Sequence, residues 1–91
     1  MFGKKTDVNR LETLIADALA VEKNSAVSME LHKLANNLQN TTKIRETEKT
    51  GYLAITKLTN TSGFRISTAL FTLVEQLSLD VYGSAHQFNV F

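Results

Sequence analysis

The stretch EKTGYLAITKLTNTSG, residues 48–63, decides the fold of this chain. As a strand, residues 52–58 would place large apolar side chains on both faces, so the strand would have no separate polar and apolar face. As a helix, the region carries one row at spacings of seven, four, three and four, with Glu48 as its one charged member. These spacings separate Ile44, Gly51, Ile55, Leu58 and Ser62, and Glu48 lies between the first two. The pattern therefore favours a helix.

The same stretch also has features of a hairpin. Threonines are frequent in it, and residues 59–63 resemble a loop between two extended segments, 52–58 and 64–68. Gly51 costs a helix about 1 kcal/mol relative to alanine, which is understandable if a neighbouring backbone approaches closely there. We expect a helix, and we keep as the alternative an α+β fold with N-terminal helices and a C-terminal hairpin.

Two helices are predicted before this stretch. The first begins after an N-cap at Thr6 or Asp7 and ends near residues 23–24. The second is capped by Ser25 or Ser28. Apolar residues recur every three or four positions in both, as expected for helices that bury one face. They are Val8, Leu11, Leu14, Ile15, Ala18 and Leu19 in the first helix and Val27, Leu31, Leu34 and Leu38 in the second.

A further helix is predicted from about residue 67 to residue 82, with Gly83 as its C-cap. Its stripe is wide enough to require burial on more than one face, since Phe71 and Leu79 extend it. We expect subunit contacts here and in the tail, through Leu70, Leu73, Val74, Leu77, Val81, Phe88 and Phe91. The alternative is that the stripe forms the core of a single copy. The tail could instead pair with residues 77–81 as a short hairpin.

Length and composition predict one small domain, residues 1–91, with flexible ends at 1–5 and 84–91. A domain of this size buries only about 60–65% of its unfolded surface, so its core is thin. There is no cysteine to add a disulfide, which leaves self-association as the way to gain burial. We therefore expect a small all-α bundle of three to four helices that is completed by oligomerisation.

The sequence gives little support to catalysis or to membrane binding. The two histidines, His32 and His86, have no second ligand at metal-binding spacing, and no local signature of a nucleophile or a phosphate loop is present. We expect no enzyme, metal or cofactor. A net charge of +1 disfavours nucleic-acid polymers, and no stretch is apolar enough to span a membrane, so we expect a cytoplasmic protein.

One row on the predicted middle helix could bind a ligand. Arg45, Lys49, Tyr52 and Thr56 would share a flank of that helix. Two cations one turn apart repel each other weakly and suit an anion between them, while the phenol could stack on a base and the hydroxyl could donate to a phosphate. The alternative is an ordinary wet surface on which Glu48 pairs with Arg45.

The segment Leu53-Ala-Ile-Thr-Lys-Leu58 resembles a helical segment of small phage proteins that sequester cyclic oligonucleotide messengers of the CBASS antiviral response. The resemblance covers these six residues, with Phe64 at a matching place further along. It implies a second hypothesis, a viral anti-defence sponge that holds a cyclic nucleotide or another phosphate-containing small molecule at an oligomer interface. The first hypothesis is a non-catalytic, self-associating adaptor or regulator that binds another protein.

Overall fold

A computed structural model describes residues 8–61 and 63–83, and within those ranges every regular element is an α-helix. The helices are α1 (Val8–Val21), α2 (Ser25–Gln39), α3 (Ile44–Thr59) and α4 (Thr68–Tyr82). This confirms the predicted all-α bundle, with four helices. The α+β alternative is wrong for these residues, because the stretch it needed as a strand lies in α3 and residues 77–81 lie in α4.

The helix ends follow from local hydrogen bonds. The predicted caps of α2, Ser25 and Ser28, are wrong: Asn24 is the N-cap, and its side chain accepts a hydrogen bond from the Val27 N–H at 3.1 Å. Ser67 caps α4 in the same way. Gly83 confirms its predicted role at the other end of α4, since its φ of 74° is one that glycine adopts without strain.

Each helix packs on its neighbours in sequence, and α4 closes the ring against α1. Short connections of this kind place successive helices side by side and antiparallel. None of the four helices is long and apolar enough to cross a membrane. The buried apolar residues form one core, made of Leu11, Ile15, Ala18, Val27, Leu31, Leu34, Leu38, Tyr52, Ile55, Leu70, Leu73, Val74 and Leu77.

Gly51 allows α2 and α3 to approach each other closely. A Cβ atom added at Gly51 would lie 2.8 Å from Cδ1 of Leu34, closer than such atoms can pack. Gly51 does have a close neighbour, but this neighbour is the Leu34 side chain and not the backbone that was predicted. The gain in packing explains a glycine that otherwise weakens the helix.

Several predictions fall outside the described residues. They concern the two flexible ends, the N-cap at Thr6 or Asp7, Ser62 in the buried row of α3, His86, and the interface residues Phe88 and Phe91.

Candidate functional site

A polar cluster lies inside the seam between α3 and α4. Glu48 and Ser78 are both 0% exposed, and Tyr52 is 4% exposed. Glu48 and Tyr52 stand one turn apart on α3, while Ser78 and Tyr82 stand one turn apart on α4. We call these four residues the polar cluster: Tyr52 contacts Ser78 and Tyr82, and Glu48 is buried one turn before Tyr52.

Tyr52 holds the polar cluster together. Its phenol is hydrogen-bonded to the Ser78 side chain. Its ring meets the Tyr82 ring edge to face, with centroids 5.5 Å apart and planes at 66°. Such ring pairs contribute about 0.5–1.5 kcal/mol beyond the area they bury. The two contacts hold the C-terminal end of α4 against α3.

The acidity of Tyr52 reflects this environment. Burial raises the pKa of the phenol above its ordinary value of 10.0, the hydrogen bond to Ser78 lowers it, and the Tyr82 phenol raises it further. The folded chain therefore keeps this proton at pH values where the unfolded chain has begun to lose it. The corresponding stability is fully present below pH 10.0 and falls as the pH rises through the folded-state pKa.

We expect the tyrosinate absorbance of Tyr52, obtained by subtracting the titration of Tyr52→Phe from that of the natural chain, to have a midpoint above 10.0. The chain has only two tyrosines, so the difference reports Tyr52 together with the change that its loss causes at Tyr82. The free energy of unfolding should decline over the same pH range, and decline less in Tyr52→Phe. A midpoint at or below 10.0 would contradict the burial of the phenol.

The predicted ligand row lies on α3, but only part of it faces solvent. Arg45 and Lys49 are exposed, and neither forms an ion pair with another described residue. Tyr52 is buried in the polar cluster. The Thr56 hydroxyl donates to the Tyr52 carbonyl oxygen at 2.8 Å, a bond within the helix. The structure therefore brings the two cations together at the surface and places the phenol behind Tyr82.

The predicted interface on α4 lies mainly inside the chain. Leu70, Leu73, Val74 and Leu77 are each 0% exposed, so a single copy already covers them. This is the alternative in which the stripe forms the chain's own core. Val81 is half-buried, and the large apolar residues of α4 that remain at the surface are Leu79 and Tyr82.

A shallow groove of about 280 Å³ lies between α2 and α3. Its floor is Leu34 with Gly51, and its rim includes the Glu30–Lys33 ion pair at 3.6 Å. The rim also carries Lys43 and Glu46, so opposite charges cancel across it. A groove with a balanced rim and a small apolar floor has no strong preference for an anion or a cation.

Sequence reasoning missed Ser78 and Tyr82. A signal was present, because Glu48 is the one charged member of the buried row on α3, and a buried carboxyl usually faces polar groups. Ser78 is a polar interruption at the edge of the α4 stripe. Two interruptions on helices that pack together indicate a shared polar seam, although the sequence does not show which helices pack.

Comparison of the chain with protein-family models, curated proteins and solved structures gave no match. Among the described residues, no three histidine, cysteine, aspartate or glutamate side chains are grouped so that they could hold a metal ion.

Proposed function

We propose that this chain is a non-catalytic binding protein that self-associates and acts as an adaptor or regulator of another protein. One observation supports this most directly. The exposed fractions of three large apolar side chains on adjoining helices are 50% for Leu53, 45% for Leu79 and 41% for Tyr82. A single exposed leucine is ordinary, whereas several exposed apolar side chains on helices that pack together favour contact with another molecule.

The alternative, a sponge for a phosphate-containing small molecule, has less geometric support. It would depend on Arg45 and Lys49, since Tyr52 is covered by Tyr82 and the Thr56 hydroxyl is bonded within its helix. Two exposed cations bind a phosphate weakly in water, because solvent screens them. The apolar surface is therefore the better guide to function.

Self-association can be tested by sedimentation velocity over a range of protein concentrations. We expect the full chain to move from monomer to dimer or a larger species as its concentration rises. A variant that ends at Gly83 retains the C-cap of α4 and removes the apolar tail, including Phe88 and Phe91. If the tail adds to the contact, this variant should dissociate at several-fold higher concentration than the full chain.

A chain that stays monomeric up to millimolar concentration would overturn the proposed self-association. The adaptor role is tested separately by affinity capture with Leu79→Lys as the matched bait. A protein partner retained by the natural chain and lost with this variant would support the proposal. Equal retention by both baits would count against a role for the α4 surface.

A further inference from the structure

We infer that the outer face of α3 and α4 docks the same face of a second copy, with α3 of each chain against α4 of the other. The outer face is defined by Arg45, Lys49, Leu53 and Lys57 on α3 and by Glu75, Leu79 and Tyr82 on α4. The inference rests on the proposed self-association and assigns its interface. Three features of the described residues carry it.

The first feature is a matching layout on the two helices. On α3, Leu53 lies one turn from Lys49 and one turn from Lys57, and all three side chains are exposed. On α4, Leu79 lies one turn from Glu75 and one turn from Tyr82. Each helix thus presents a leucine with charge one turn away. The exposed sides of α3 and α4 adjoin, because the two helices pack against each other and the Tyr82 ring meets the Tyr52 ring across their seam.

The second feature is that the charges of the two helices are opposite. The charged residues of α4 are Glu75 and Asp80, with no cation. The exposed charges of α3 are mainly basic, with Arg45, Lys49 and Lys57 against Glu46. Lys49, Lys57 and Glu75 form no ion pair with another described residue, so they remain available to a partner.

Charge also selects the occupant and its arrangement. A two-fold contact uses the same patch on both copies, so a surface that docks on itself must be self-complementary. Placing α3 on α3 would oppose cations, and placing α4 on α4 would oppose carboxylates. Placing α3 on α4 pairs opposite charges twice and brings Leu53, Leu79 and Tyr82 out of water. A second copy therefore fits this face.

The third feature is size. Helices of 15 and 16 residues are each about 23 Å long and pack about 8–10 Å apart. Their outer face offers a few hundred Å² per copy, below the roughly 800 Å² per partner of a standard stable interface. We therefore expect a dimer that dissociates at micromolar concentration and weakens as salt screens its charge pairs.

A charge exchange between two variants tests the inference. Variant one carries Lys49→Glu with Lys57→Glu, so both of its helices become acidic. Variant two carries Glu75→Lys, so the charges of its outer face become basic on both helices. Each alone should dimerise at least ten-fold more weakly than the natural chain. Their equimolar mixture should form a heterodimer of about natural affinity, because acidic α3 meets basic α4 and basic α3 meets acidic α4.

The controls separate the possible failures. Lys23→Glu, on the exposed loop between α1 and α2, should leave dimerisation unchanged, and circular dichroism should show that every variant is folded. A monomeric natural chain would end the proposed self-association together with this interface and leave the face to a different partner. If the natural chain dimerises, variants that dimerise equally well, or a mixture that does not recover, would overturn this interface alone.

Discussion

Gly51→Leu lowers the free energy of unfolding by about 2–3 kcal/mol. The new side chain must enter space that Leu34 already occupies, since even a Cβ atom would lie 2.8 Å from Cδ1 and 3.3 Å from Cγ of that residue. Leu34 is 2% exposed, so its side chain is already packed on nearly all sides. Removing a glycine from a helix returns about 1 kcal/mol, which offsets only part of the strain. The midpoint temperature of thermal unfolding should fall by about 10 °C or more.

A double-mutant cycle identifies the cause. Leu34→Ala alone should cost about 2–5 kcal/mol through the cavity it leaves. In the double variant, the new leucine at position 51 fills the cavity that Leu34→Ala leaves. The double variant should therefore be at least 1 kcal/mol more stable than the sum of the two single changes implies. Gly51→Ala should give a smaller loss, because only the end of Leu34 must shift. Strict additivity would show that close packing with Leu34 is not what the glycine serves.

The sequence is sufficient to predict the helical architecture, because apolar residues recur at helical spacing in each segment. The α2 seam of Val27, Leu31, Leu34 and Leu38 is buried throughout, as its spacing predicts. The row on α3 follows the same rule, and its members Ile44 and Leu58 pack at the margin of the core. A helix reveals its buried face through spacing alone, without knowledge of its partners.

The candidate site was less accessible, because it depends on which helices meet. Tyr52 lies at the edge of the buried face of α3, where spacing does not tell a buried ring from an exposed one. Its burial follows from Tyr82 and Ser78, which are more than twenty residues away in the sequence. For the same reason, the sequence does not show whether the stripe on α4 forms a core or a subunit contact. The structure shows that α1 and α3 pack against α4.

Glu48→Met raises the free energy of unfolding by about 1–2 kcal/mol, although it removes a residue buried in the polar cluster. Glu48 is 0% exposed, and a carboxyl taken out of water loses hydration that its contacts only partly replace. Apolar residues of similar volume in place of buried charged groups are often neutral or stabilising, by up to about 4 kcal/mol. Methionine matches the length of glutamate and adapts to irregular space. The midpoint temperature of thermal unfolding should rise by about 5–10 °C.

Glu46→Met is the matched control, since Glu46 is an exposed glutamate in the first turn of the same helix. Glu46→Met should lower the free energy of unfolding by about 0.3–1 kcal/mol, because an acidic side chain in the first turn interacts favourably with the helix dipole. Opposite signs for the two changes would show that burial, and not charge on α3 in general, determines the cost of Glu48. A loss of 2 kcal/mol or more in Glu48→Met would instead show that the contacts of the carboxyl outweigh its desolvation.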